Sequence, residues 1–223
     1  MNLKLLQEVI SDYKKHLLNS ESTDWLLPYQ ATKTWKYHWN MEELDFLKMY
    51  DDSLSGDSPI WEGDDYHPKH MMLKYIEMNS DLARSAFIDL FDQKREIVGR
   101  IHRFIYILNE LKNVYQGEHQ QYDTHYHDDR VMILNYLAFN QPEAYTMYEK
   151  SGFEKLLKLV GAKDIKKSHD LGRYVKVAKT VNIFVQKDEE LVAHIASGTA
   201  DDNHYNEPNL LAVSGLLKYV AER

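Results

Sequence analysis

Apolar positions recur along most of this chain at spacings of three and four, the period of a helix with one buried face. Leu3, Leu6, Val9, Ile10, Tyr13 and Leu17 predict an amphipathic helix over residues 3–18. A polar break at Asn19–Asp24 leads into Trp25-Leu26-Leu27-Pro28, where the proline disfavours helix in the residue before it. Trp35 and Trp39 lie four apart, so a helix carries both indoles on one face, as a core anchor or a ligand platform. Asn40 is placed to cap a helix bearing Leu44, Leu47 and Leu54, with Glu42, Glu43 and Asp45 near its positive end. Ser53–His67, which contains SLSGDSPIWEGDD, has the composition of a mobile loop or a lobe boundary. Pro68 suits the first turn of a helix through Met71, Met72, Tyr75 and Ile76. Asn79-Ser80-Asp81 then restarts the chain, with Ser80 or Asp81 as N-cap.

The longest pattern is Ile97, Ile101, Phe104, Leu108, Leu111 and Tyr115, a heptad-like seam that predicts the central helix of a bundle, with a coiled-coil dimer seam as its rival. Phe87, Leu90 and Phe91 extend the apolar surface upstream. After Gly117 come a polar knot (His125, His127, Asp128, Asp129, Arg130) and a helix with Val131, Leu134, Tyr136 and Leu137 apolar, ended by Asn140-Gln141-Pro142. Ser151 with Glu154 three residues on forms a capping box before Leu156, Leu157 and Val160, and Gly161 sits where a helix-ending glycine belongs. The basic stretch Lys163–Arg173 reads as a loop leading to a helix or strand over Tyr174–Phe184, whose valine-rich alternation admits a short β element near 174–185. Leu191–Ile195 is helical, Gly198–Asn206 a loop, and Pro208 starts a final helix over Leu210–Val220. The expected fold is mainly α, a multi-helix globular bundle filling residues 1–223 as one domain, or as a lobe over 1–60 and a main helical lobe over 66–223.

Composition narrows the function classes. The 43% hydrophobic and 12% aromatic content is that of a folded chain with a core. With no cysteine, disulfides, thiolate zinc sites and cysteine nucleophiles are excluded, and a reducing cytoplasm is the expected setting. The first eighteen residues carry charges within their apolar pattern, unlike a signal peptide, and no apolar run approaches a membrane span, so no membrane partner is expected. The net charge of −8 is unevenly spread: nine acids and one lysine lie between Glu42 and Asp65, but eight Lys or Arg and two acids between Lys155 and Lys179.

Candidate chemistry is sparse. Asp123, His125, His127 and Asp128 are nitrogen and oxygen donors, and in an extended segment His125 and His127 would share a side and could share a metal. The competing reading makes Asp128 or Asp129 a helix cap and pairs Arg130 with a carboxylate. His67 and His70 beside Asp64 and Asp65 form a second, looser metal cluster without an HExxH pattern. No phosphate-binding glycine loop and no GxSxG elbow occurs, and no catalytic constellation or cofactor is expected. Lys163, Lys166, Lys167, Arg173, Lys176 and Lys179 have the charge to meet phosphates, with Tyr174 to stack on a base.

Three segments carry a resemblance: Trp35–Leu54 (WKYHWNMEELDFLKMYDDSL), His125–Gly161 (HYHDDR, an apolar helix, then QPEAYTMYEKSGFEKLLKLVG) and Asp188–Tyr219 with its HYNEPNLL. The chain resembles the region upstream of the motor in McrB-like AAA+ proteins, the NTP-driven subunits of modification-dependent restriction systems. The middle segment is similar to their HYQDDR…PxxYYxYKxSxFKxxAxxLG pattern, with His127 standing where the pattern has glutamine. Walker motifs and the motor are missing, so NTP hydrolysis does not carry over. The resemblance implies a target-recognition or adaptor module of a DNA-directed defence system, with duplex DNA and a AAA+ motor or nuclease subunit as partners. His125, Asp128, Asp129 and Arg130 match the family motif, which implies structural or binding importance. The DNA-contact expectation rests on Lys163, Lys166, Lys167, Arg173, Tyr174 and Lys176. Two other classes stand beside it: a protein-interaction module using the Trp35/Trp39 face or the heptad-like seam, and a metal-dependent hydrolase built on His125, His127 and Asp128.

Overall fold

The three-and-four spacing resolves into eleven α-helices among the residues that the computed structural model describes, 1–56, 58–119, 124–163 and 170–223. They are α1 (Leu3–Asn19), α2 (Leu27–His38), α3 (Phe46–Ser53), α4 (Pro68–Met78), α5 (Ser80–Phe91), α6 (Ile97–His119), α7 (Val131–Asn140), α8 (Lys150–Leu159), α9 (Leu171–Val185), α10 (Glu189–Gly198) and α11 (Leu211–Glu222). Among the described residues there is no strand, only one isolated bridge between Gly63 and Tyr66. The chain divides into two compact units, one of Met1–Thr32 with Gln141–Arg223, the other of Lys33–Asn140. The first unit is discontinuous in sequence, and Ser53–His67 falls inside the second unit.

In the 33–140 unit, α5 packs on α6 and α4, and α3 and α7 complete the group. The heptad-like seam is its core: Ile101, Phe104, Leu108 and Leu111 are fully buried and Tyr115 nearly so. Phe87 sits among Trp39, Phe46, Tyr50, Phe91, Phe104 and Tyr136, with centroids 5.2 Å from Phe104 and 5.1 Å from Tyr136 in edge-to-face geometry. Trp35 is fully buried and stacks on Trp39 at 4.0 Å. Most of the seam and Trp35 are therefore packed inside this unit, while Ile97 and Trp39 are half-buried.

In the other unit, α8 and α11 cross so closely that the backbones touch. A Cβ added at Gly152 would lie 1.9 Å from the Leu217 carbonyl oxygen. Gly161 ends α8 at φ +59, its N–H donating to the Lys158 carbonyl at 3.1 Å while Ala162 N–H donates to Leu157 at 2.8 Å. That is the glycine ending expected from the sequence.

Several boundaries differ from the sequence expectation because a neighbouring side chain caps better. α3 starts at Phe46, not after Asn40, because Asp45 accepts from Lys48 N–H at 2.9 Å, and Leu44 is left 96% exposed. Asn79, not Ser80 or Asp81, caps α5 by accepting from Leu82 N–H at 3.0 Å. Glu149 caps α8 in place of Ser151. The short β element near 174–185 is helix α9. Asp170 caps it, and Leu171, Tyr174, Ala178, Val181 and Val185 fall on one buried face. Valine content favoured a strand, but the three-and-four burial pattern decided the outcome. Ser53–His67 is anchored by Trp61, buried with its ring 6.1 Å from Phe139.

Two glycines separate packing from propensity. Gly152→Ala forces α8 and α11 apart and should destabilise the protein by about 3 kcal/mol. Gly117→Ala on α6, where nothing lies within 4 Å, should stabilise it by about 0.5–1 kcal/mol. Urea unfolding of both variants measures the pair, and an unchanged midpoint for Gly152→Ala would contradict the close crossing.

Candidate functional site

The polar knot folds inward. His125 and His127 are both fully buried, and the extended run that would align them is broken at Tyr126, whose φ is +56. Arg130 also adopts a left-handed φ of +69, and the two reversals bring the segment back to the start of α7. Asp129 accepts from Val131 N–H at 2.9 Å, so it serves as the helix start. Burial raises the Asp129 carboxyl above its usual range, a shift opposed by that hydrogen bond.

Hydrogen bonding assigns both imidazole tautomers. His127 Nδ1 faces the His125 carbonyl, which can only accept, so Nδ1 carries the proton. His127 Nε2 then accepts from the Tyr136 hydroxyl at 3.1 Å, and Tyr136 in turn accepts from Tyr50 at 2.6 Å. The His127 backbone N–H donates to His125 Nδ1 at 3.1 Å, so the His125 proton sits on Nε2, 3.4 Å from Asp128 Oδ1. That approach is too long for a good hydrogen bond, and His125 Nε2 counts as a buried donor without a full partner.

This arrangement engages the nitrogens on which the metal reading rests. Both lone pairs that a divalent ion would need, His125 Nδ1 and His127 Nε2, already accept hydrogen bonds within the fold. Among the described residues no group of three or more His, Asp or Glu is arranged to hold a metal. Asp123 lies outside the described residues. The second cluster has dissolved into helix capping. Glu62 accepts from His70 N–H at 3.2 Å and pairs with His67 Nδ1 at 2.9 Å, which raises the His67 pKa.

The basic stretch divides. Lys166 and Lys167 lie outside the described residues. Tyr174 is 1% exposed, donates its hydroxyl proton to the Met147 carbonyl, and is boxed edge-on by Tyr148 and Phe153 at 4.9 and 5.0 Å. It is a core residue and cannot stack on a base, because its ring faces are already covered. Arg173 donates to the Lys163 carbonyl at 2.8 Å. Lys176 and Lys179 are exposed on α9, Lys187 is exposed in the turn that follows it, and Ile183 between them is 56% exposed. From Leu171 to Lys187 there is no acidic residue. The sequence signal for Ile183 is its place four residues after Lys179, in the three-and-four spacing that starts at Lys176, a signal obscured by the alternation that also admitted a strand.

Burial holds His127 neutral, with its pKa depressed to about 3, and lowers that of His125. The unfolded chain, with ordinary imidazoles near 6.5, binds more protons than the folded one below that pH. Stability is therefore fully present above about pH 6.5 and falls as acid is added, by up to about 1.4 kcal/mol per pH unit for each histidine. His127→Gln should lower stability at pH 7 yet flatten its decline between pH 6.5 and 5 in thermal melts. An unchanged slope would exclude His127 as a titrating group.

Comparison with family models, curated proteins and solved structures finds no match to this chain.

Proposed function

We propose that this chain is a non-catalytic recognition or adaptor module of a DNA-directed restriction system, contacting duplex phosphates through the exposed face of α9. The observation that carries the reading is that face. Lys176 and Lys179 are exposed on a helix with no carboxylate of its own, Lys187 is exposed in the turn after it, and the Lys163 backbone carbonyl is held by Arg173. Among the described residues neither Lys176 nor Lys179 forms an ion pair, so their charge is available to an external anion. The McrB-like pattern at His125–Gly161 supports the same direction, its histidines, aspartates and arginine setting the start of α7 rather than meeting the target. A AAA+ motor or nuclease subunit would supply the chemistry that this chain lacks. The net charge of −8 limits non-specific attraction, so binding should be modest and strongly salt-dependent.

Fluorescence anisotropy with labelled duplexes, plain and base-modified, at about 50 and 200 mM salt tests this. The wild type should bind and weaken with salt. Lys176→Glu/Lys179→Glu should lose about tenfold or more in affinity, and the slope of log K against log salt should shrink by about 2. Equal binding by the variant would move the surface away from α9. Absence of binding to every duplex at low salt would reject DNA contact for this chain.

A further inference from the structure

The last turn of α9 also borders a cavity of different chemistry. A cavity of about 450 Å³ in the unit of 1–32 and 141–223 is walled by the last turn of α9, one face of α10 from Val192 to its end, and the segment that leads into α11. Its apolar lining includes Val192, Ile195 and Leu210, and its rim carries the exposed carboxylates Glu143 and Glu207. No lysine, arginine or histidine lines it. Neither rim carboxylate forms a salt bridge among the described residues. The Tyr205 phenol is held above its ordinary range first by burial and then by Glu143 and Glu207, so both charges are felt at one hydroxyl. Asn182 on the α9 wall has a side-chain oxygen that is buried with no hydrogen-bond partner. Two helices also end here, each presenting the negative end of its dipole.

These features share one requirement. Carboxylates, a carbonyl oxygen lacking a donor, and two helix C-termini call for a cation that donates hydrogen bonds, while an apolar lining calls for methylenes. We propose that this cavity is a binding site for a free aliphatic amine, its ammonium held between Glu143 and Glu207 and its alkyl chain laid on Val192, Ile195 and Leu210. The site stands apart from the DNA-contact reading and does not depend on it.

Isothermal titration with 1,5-diaminopentane and spermidine tests the assignment, with 1,5-pentanediol as the uncharged match. The diamine should bind saturably at one site and the diol at least tenfold more weakly. Glu143→Gln/Glu207→Gln should lose at least tenfold in affinity, with an unchanged melting temperature because both positions are exposed. The charge-matched control Glu8→Gln/Glu21→Gln, neither residue lining the cavity or lying within a turn of one that does, should stay within twofold of the wild type. No saturable binding, or equal loss in both double variants, would overturn the proposal by reducing the effect to bulk charge. Tighter binding of a capped lysine amide than of the diamine would overturn the free-amine assignment in favour of a partner's side chain.

Discussion

A neutral imidazole sealed inside an aromatic cluster is the constraint on which the 33–140 unit depends. His127 has no access to water, so both of its nitrogens must be matched by fixed partners of opposite role. The His125 carbonyl matches one and the Tyr136 hydroxyl the other, and Tyr50 completes the chain. Each link comes from a different element: the segment before α7, α7 itself, and α3. Because each donor meets one acceptor, the chain of hydrogen bonds ties these elements in one register. Left-handed backbone at Tyr126 and Arg130 is what such a tight return demands of non-glycine residues, at a cost of order 1 kcal/mol each.

The other unit is organised by close contact rather than by a polar chain. Gly152 lets α8 reach the backbone of α11, and Phe153, one residue on, packs edge-to-face on Tyr174 of α9. With its inner face fixed by Tyr174, Ala178, Val181 and Val185, α9 has only one side left for solvent. That side is basic, while the cavity at the last turn of α9 is rimmed by carboxylates. A single helix thus borders two regions of opposite charge preference, and the net charge of the whole chain describes neither.

What the sequence made legible follows from how local each signal was. The α6 seam, the Pro68 start of α4 and the Gly161 ending were readable because spacing and backbone preference act within one or two turns. Caps were less readable. Asp45, Asn79 and Glu149 each stand within a few residues of another capping-competent side chain, and tertiary burial chose between them. The strand reading of 174–185 failed because valines spaced for one helix face also alternate. The knot was visible as a concentration of polar residues, but its direction was not, since Tyr136 and Tyr50, which absorb His127, lie 9 and 86 residues from the groups they meet. The acidic cavity was invisible for the same reason: Glu143 and Glu207 are remote in sequence and their convergence is a property of the fold.

The polar knot is a buried hydrogen-bond network in which His125 Nδ1 and His127 Nε2 both act as acceptors. Long-range proton–nitrogen correlation spectra of the histidine rings at pH 7, with and without added zinc or magnesium, test it directly. The account predicts a neutral His127 protonated at Nδ1 and a neutral His125 protonated at Nε2, both unmoved by metal. A charged imidazole, the reverse tautomers, or a metal-dependent shift at either ring would contradict it.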